Sequence, residues 1–228
     1  MRAMPTVLLV RHGQASFGTD DYDVLSEAGH RQAEIVAASL EERGYHADRL
    51  ICGTLRRQRE TADAFLARGG PDPEIEPGWD EFDSEDILRH HADAAIRLHV
   101  PEGGAKLTNR DFQAALEVAQ AQWVDHAERS PTSQTWPDFT GAGTAALRDL
   151  AGRLTSGETA IVVTSGGVIA ALLCTLWNAP AALFPALNRV TVNASVTKLA
   201  VGSTGTNVIS FNDHSHLESV DRALVTYR

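Results

Sequence analysis

The sequence predicts a three-layer α/β fold in which a mostly parallel, doubly wound sheet carries helices on both faces. Short apolar runs typical of buried strands occur at residues 7–10, 50–52 and 159–164. Each run is followed by a polar or glycine-rich turn and then by a helical pattern, the spacing typical of βαβ units. The 228 residues are sufficient for one domain over 1–228, with a helical insertion at about 84–140.

The first apolar run ends in Arg11-His12-Gly13. Because the carboxyl ends of strands open into the ligand crevice of such sheets, Arg11 and His12 are expected to face a site. An imidazole can act as a nucleophile, and a guanidinium can hold a phosphoryl oxygen bidentately. For this tripeptide alone, a strand end with a solvated arginine and an idle histidine is the better interpretation.

Two helices are predicted in the first third of the chain. Ser26 is a plausible N-cap for a helix that ends at Gly44, and a second helix is predicted at about residues 55–66. Arg57 falls in the first turn of this second helix, just past a strand end. Free backbone N–H groups and the positive helix end favour an anion there, although a surface salt bridge is the alternative role for Arg57.

The pattern changes after Ser84, where helices are predicted at 86–98 and 109–127 on either side of a turn at 101–104. Three aromatic residues could line a crevice beneath these helices, but aromatics at such spacing are more often part of a core: Trp123, Trp136 and Phe139. Three histidines in this region are interpreted as solvated or capping residues: His90, His91 and His99.

The C-terminal third is predicted to continue the alternation. A helix is expected to start near Gly141, and Ser165-Gly166-Gly167 turns tightly into an apolar helix at 168–177. Strand signals at 188–200 and 205–211 flank a glycine turn, which indicates an antiparallel edge of the sheet.

Four segments together resemble the histidine phosphatase superfamily, in its phosphoglycerate-mutase-like branch. Arg11-His12-Gly13 is similar to the family signature, and residues 25–33 are similar to its Leu-Thr-x-x-Gly-x-x-Gln-Ala helix. Residues 55–62 are similar to Leu-x-Arg-Ala-x-x-Thr-Ala, and residues 162–169 to Val-x-x-His-Gly-Gly-x-Ile. The last segment departs from the pattern, since Ser165 stands where the family has its second histidine.

The resemblance implies a phosphatase that hydrolyses a small phosphorylated substrate through a phosphohistidine on His12. Arg11 and Arg57 are then expected to hold the phosphate, with help from the Ser165 hydroxyl and the Gly166 amide at a helix N-terminus. It implies neither a metal nor a cofactor.

The family also carries a glutamate after its third strand as general acid and base. We expect this residue to be Glu81, because Trp79 and Phe82 flank it and exclude water, which favours the neutral acid. Asp80 and Asp83 are the rival candidates, and a solvated acidic loop is the alternative for the whole segment.

The serine at position 165 leaves a second hypothesis open. A charge-assisted hydrogen bond is worth roughly 1.5–3 kcal/mol, against about 0.5–1.5 kcal/mol for a neutral one. The alternative is therefore a weak or inactive member that binds a phosphorylated ligand or partner without turnover. A phosphoglycerate-type mutase is a more distant alternative.

Composition excludes other classes of protein. The formal net charge of −10 argues against a nucleic-acid partner, and no apolar stretch approaches the roughly 20 residues of a membrane span. Two cysteines make no disulfide framework, and no signal-peptide pattern precedes Arg11, so a cytoplasmic protein is the simplest interpretation. The sequence leaves the oligomeric state open, with a homodimer among the options.

Overall fold

The computed structural model describes residues 4–16, 23–91 and 109–227. Its strands are β1 Thr6–Arg11, β2 Arg49–Cys52, β3 Glu74–Ile75, β4 Thr159–Thr164, β5 Val196–Gly202 and β6 Gly205–Asp213. Its helices are α1 Glu27–Glu42, α2 Arg56–Leu66, α3 Ser84–His91, α4 Asn109–His126, α5 Trp136–Arg153, α6 Gly166–Leu176, α7 Phe184–Val190 and α8 Ser215–Glu218. No helix among these described residues combines the length and apolarity needed to cross a bilayer.

The strands form one sheet in the order β3-β2-β4-β1-β5-β6. The first four are mutually parallel, whereas β5 runs antiparallel to both β1 and β6. The predicted α/β fold with a mostly parallel sheet and an antiparallel edge is therefore confirmed.

Strand β1 shows why the central strands are apolar along their whole length. Val7, Leu8, Leu9 and Val10 are each at most 1% exposed. Val7 and Leu9 belong to one hydrophobic cluster, and Leu8 and Val10 belong to another on the opposite face. Because side chains alternate between faces and helices cover both faces, every position of this strand is buried.

The helices divide between the two faces. Helices α1 and α2 pack on the face of Leu8 and Val10, whereas α4, α5, α6 and α7 cover the other face. The predicted cap of α1 is confirmed, since the Ser26 hydroxyl accepts a hydrogen bond from the Gly29 amide at 3.0 Å. Both cysteines are buried, Cys52 in β2 and Cys174 in α6, and burial raises the pKa of the Cys52 thiol to about 11.

The helix predicted to start near Gly141 begins instead at Trp136, so that boundary was wrong. Thr135 and Asp138 form a capping box, in which the threonine hydroxyl accepts from the Asp138 amide and the carboxylate accepts from the Thr135 amide. Gly141 lies inside the helix, where a glycine costs about 1 kcal/mol relative to alanine. Burial of the aromatic first turn outweighs that cost.

The aromatic residues of this region form a core, which confirms the second of the two interpretations. The ring centroid of Trp123 lies 5.4 Å from that of Trp136 and 5.6 Å from that of Phe139. Phe82 and Phe184 complete the cluster. The predicted helix at 86–98 is confirmed as far as residue 91, and the rest of it, His99 and the turn at 101–104 lie outside the described residues.

His91 is not solvated, contrary to expectation. It is 3% exposed, its ring stacks on His126 with centroids 5.2 Å apart, and its Nε2 lies 2.7 Å from the Ser130 hydroxyl. Burial is the largest cause that lowers the pKa of His91. His91 follows the exposed His90 in the sequence, but it lies on the side of α3 that α4 covers, where it meets His126.

The strand predicted at 188–200 was wrong in its first half. Residues Phe184–Val190 form α7, and β5 begins only at Val196. Phe184 is completely buried in the core, and Pro185 occupies the first turn of the helix, where the missing amide proton is not needed. This helix places Asn188 next to Gly166, at the start of α6.

The motif glycine in α1 lets the backbone segment after β1 approach the helix closely. A Cβ at Gly29 would lie 2.1 Å from the Gln14 carbonyl oxygen, and one at Gly13 would lie 2.3 Å from the Gly29 carbonyl oxygen. Both contacts are with backbone, which cannot move aside cheaply.

We therefore expect Gly29→Ala to lower the free energy of unfolding by about 1–3 kcal/mol. Gly141→Ala is the matched control, since it adds a methyl group where nothing lies within 4 Å. That control should be neutral or stabilising by up to about 1 kcal/mol. Urea denaturation measures both, and equal behaviour of the two variants would contradict the close approach.

Candidate active site

The parallel pairing of β1 with β4 places two predicted site residues, His12 and Ser165, side by side. Arg11 and Thr164 are register partners at the ends of these strands, and the His12 amide donates to the Thr164 carbonyl at 2.8 Å. His12 and Ser165 directly follow the ends of β1 and β4, respectively. They therefore share the carboxyl edge of the sheet, where ligand sites of open α/β sheets lie.

The ring of His12 is held in one tautomer. Nδ1 lies 2.7 Å from the Gly13 carbonyl oxygen, which can only accept, so Nδ1 carries the proton. Nε2 then has the lone pair, and it accepts a hydrogen bond from Nε of Arg57 at 3.2 Å. His12 is 5% exposed. This arrangement suits a nucleophilic Nε2.

Arg57 connects the histidine to an acidic partner that sequence analysis missed. Its Nη1 lies 2.6 Å from Oδ1 of Asp23, and Oδ2 of Asp23 accepts from the Arg56 amide at the start of α2 at 2.8 Å. A carboxylate thus sits at the helix end that was predicted to favour an anion. No sequence pattern singled out Asp23, because the loop before it has no periodicity.

Arg11, the last residue of β1, extends toward the N-terminus of α6. Its Nη1 donates to the Thr191 carbonyl, and its side chain runs past the first turn of α6. A Cβ at Gly166 would lie 3.3 Å from Arg11 Nε and 2.8 Å from Asn188 Oδ1. Glycine at 166 therefore lets both side chains approach the helix N-terminus. Asn188 was missed because its segment was predicted as a strand.

Ser165 is completely buried at the N-cap position of α6, but its hydroxyl makes no capping hydrogen bond. Its Oγ instead accepts from Nε2 of Gln58 at 2.9 Å. Gln58 is also fully buried. It was not predicted as a site residue, because no motif or charge distinguishes it from its neighbours Arg57 and Arg59.

The structure separates the three acidic candidates. Oε2 of Glu81 accepts from the Gly167 amide at 3.1 Å, so this carboxylate reaches the N-terminus of α6. Asp80 instead accepts from the Thr54 amide at 2.5 Å and hydroxyl at 2.7 Å. Asp83 caps α3 through the amides of residues 85 and 86.

All six predicted site residues are thus brought around the N-terminus of α6 and the adjoining strand ends: Arg11, His12, Arg57, Glu81, Ser165 and Gly166. The site combines two guanidinium groups with the first turn of a helix, where amide protons favour an anion. Among the described residues, no group of three or more His, Cys, Asp or Glu side chains could hold a metal ion.

His216 holds the backbone segment that bonds to the end of β1. Its Nε2 donates to the Ala194 carbonyl at 3.0 Å, and the Ala194 amide in turn donates to the Arg11 carbonyl at 3.0 Å. The imidazole is buried, and burial is the largest cause that lowers its pKa, ahead of the opposing hydrogen bond to Ala194 and nearby Asp213. These contacts give His216 a structural role.

Stability should therefore fall as the pH drops below about 6.5, the pKa of an unfolded-state histidine. In that range the unfolded chain takes up protons that the folded chain, with the lowered pKa of His216, does not. His216→Gln keeps an N–H donor without titrating, so the free energy of unfolding in urea should depend less on pH. Exposed His46→Gln is the control, and an unchanged pH dependence in His216→Gln would contradict this assignment.

Comparison with known proteins identifies the fold family. The family model for the histidine phosphatase superfamily (branch 1) matches residues 7–214. No functionally curated protein matches the sequence significantly.

Solved structures with the same fold were found at low identity. A phosphoserine phosphatase variant from Entamoeba histolytica, solved with phosphoserine, is 17% identical at a TM-score of 0.66, over 94% of this chain and 100% of that chain. A mycobacterial glucosyl-3-phosphoglycerate phosphatase is 22% identical at 0.64, over 93% and 99%. A Bacillus anthracis phosphoglycerate mutase is 19% identical at 0.65, over 95% and 96%. Because the family model spans nearly the whole sequence, the chain belongs to branch 1 of the histidine phosphatase superfamily.

Proposed function

We propose that this protein hydrolyses small phosphate monoesters through a phosphohistidine formed on His12. The observation that carries this proposal is the state of the imidazole. The Gly13 carbonyl fixes the proton on Nδ1, so Nε2 has the lone pair, and this lone pair accepts a hydrogen bond from Nε of Arg57 at 3.2 Å. A nucleophile next to a permanent positive charge is what attack on an anionic phosphoryl group requires.

In the first step, Nε2 of His12 attacks phosphorus and the bond to the leaving oxygen breaks. Glu81 gives its proton to that oxygen, so the alcohol departs neutral and Glu81 becomes a carboxylate. In the second step, the carboxylate takes a proton from water while the water oxygen attacks the phosphohistidine. Inorganic phosphate leaves, and both His12 and Glu81 return to their starting states.

The charged groups around His12 support binding of the phosphoryl group. Arg57 contacts the imidazole, Arg11 reaches the first turn of α6, and the Gly166 amide adds a donor from the N-terminus of that helix. On binding, the Arg57 Nε proton would turn from His12 to a phosphoryl oxygen. The ion pair with Asp23 keeps the guanidinium in reach throughout.

We infer that Ser165 takes the position of the second histidine of the family. Its hydroxyl can donate one neutral hydrogen bond to the phosphoryl group, where an imidazolium would donate a charge-assisted one. Loss of a single donor to a developing oxyanion typically costs about 10²–10³ in rate. This cost slows the enzyme but leaves the nucleophile and both arginines in place.

The relatives support a small phosphorylated substrate. Structures of this fold contain phosphoserine or 3-phosphoglyceric acid in the Entamoeba histolytica phosphoserine phosphatase, and inorganic phosphate in the mycobacterial phosphatase. We extend only the shared chemistry, a phosphate monoester on a small polar molecule, to this chain.

The test is a phosphatase assay in a chelating buffer across pH, with p-nitrophenyl phosphate and a panel of phosphorylated metabolites. Turnover accompanied by phosphate trapped on histidine under alkaline quench would support the proposal. Absence of turnover, together with thermal stabilisation by inorganic phosphate, would overturn it and favour a phosphate-binding protein on this fold.

A further inference from the structure

Gln58 bridges two groups of the site from a completely buried position. Its Nε2 lies 2.9 Å from the Trp79 carbonyl oxygen and 2.9 Å from Oγ of Ser165. The carboxamide fits here because residue 53 is glycine, since a Cβ at Gly53 would lie 2.0 Å from Oε1 of Gln58.

The Trp79 carbonyl decides which way the carboxamide faces. This oxygen also accepts from the Thr164 hydroxyl at 2.7 Å, and as a carbonyl it can only accept. The NH₂ group of Gln58 must therefore face it, because the opposite orientation would bring two carbonyl oxygens together. Of the two N–H groups on Nε2, one donates to the Trp79 carbonyl and the other donates to Oγ of Ser165.

This orientation sets the role of the Ser165 hydroxyl. A hydroxyl has one proton to donate and two lone pairs to accept with. One lone pair of Oγ accepts the hydrogen bond from Nε2 of Gln58, so the hydroxyl proton of Ser165 points away from Nε2. The hydroxyl is also not used to cap α6, although serine at an N-cap commonly is.

We infer that Gln58 is a positioning residue that keeps Ser165 as a hydrogen-bond donor toward the phosphoryl group beside His12. The inference rests on the proposed function. Gln58 touches no substrate atom and acts only through Ser165. Without it, the hydroxyl would be able to rotate and accept from the amides of α6, and its proton would no longer be directed at the phosphoryl oxygen.

A purely structural role predicts a different result. If Gln58 only braces the Trp79 carbonyl, its loss would affect the enzyme equally whether residue 165 is serine or alanine. If it acts through Ser165, its loss would matter only when the hydroxyl is present. A double-mutant cycle separates these two cases.

The cycle uses Gln58→Met, which keeps the length of the side chain without its hydrogen bonds, Ser165→Ala and the double variant. We expect kcat/KM to fall about 10-fold in Gln58→Met and about 10²-fold in Ser165→Ala, mainly through kcat. The double variant should be no slower than Ser165→Ala alone. Additive losses would overturn the inference.

Thr164→Val is the matched control, because it removes the other hydrogen bond to the Trp79 carbonyl without touching Ser165. We expect its kcat/KM to stay within about threefold of the parent. A loss equal to that of Gln58→Met would show that the carbonyl, and not Ser165, transmits the effect, and would overturn the inference.

The same cycle is measured on the dissociation constant of inorganic phosphate by calorimetry, which needs no turnover. If the parent has no His12-dependent activity, the proposed function fails, but non-additive phosphate affinities would still support the Gln58–Ser165 coupling. Additive affinities in that case would overturn the inference as well.

Discussion

Replacing His12 by alanine is expected to reduce turnover of phosphate monoesters by on the order of 10⁴-fold or more. The variant loses the only group that this mechanism bonds covalently to phosphorus, while Arg11 and Arg57 remain. Steady-state kinetics on p-nitrophenyl phosphate measure the loss, and radiolabelled phosphate trapped on the protein should disappear with it.

The control for this change must show that the site still binds its anion. Inorganic phosphate should continue to raise the melting temperature of His12→Ala, because both guanidinium groups and the N-terminus of α6 are unaltered. Exposed His46→Ala should behave as the parent in every assay. Activity of His12→Ala within tenfold of the parent would exclude the covalent mechanism.

The second large effect is expected for Glu81→Gln, and it should depend on the leaving group. An alkyl phosphate needs a proton on its departing oxygen, so we expect a loss of about 10²–10⁴ in the first-turnover rate of alcohol release. The p-nitrophenolate ion leaves without a proton, so its first-turnover burst, which precedes the water step that Glu81 also assists, should slow by less than about tenfold. Comparing the two substrates with one variant isolates the general acid.

The chain offers two matched controls for this carboxylate. Asp80→Asn and Asp83→Asn make the same chemical change one and two positions away, at side chains bound to Thr54 and to the start of α3. Neither should show a dependence on the leaving group. If Asp80→Asn shows it and Glu81→Gln does not, the acid has been misassigned.

Local pattern was enough to predict much of this fold. The apolar runs of β1, β2 and β4 are recognisable because both of their faces are buried, and the cap of α1 because Ser26 precedes an amphipathic helix. The end of β1 then identified Arg11 and His12. The sequence pattern gave the wrong structure for α7 and the wrong start for α5. In both, burial of one aromatic residue, Phe184 or Trp136, decides the structure, and the local sequence does not indicate which aromatic residues are buried.

Spacing along single segments was sufficient to predict which residue types stand at the ends of the strands and at the first turns of the helices. Packing of separate segments establishes which acid reaches α6, that Asp23 pairs with Arg57, and that Gln58 contacts Ser165. Gln58 and Ser165 are 107 positions apart. Such contacts depend on how separate elements pack and where their side chains point, and these directions are fixed only when the whole core is assembled.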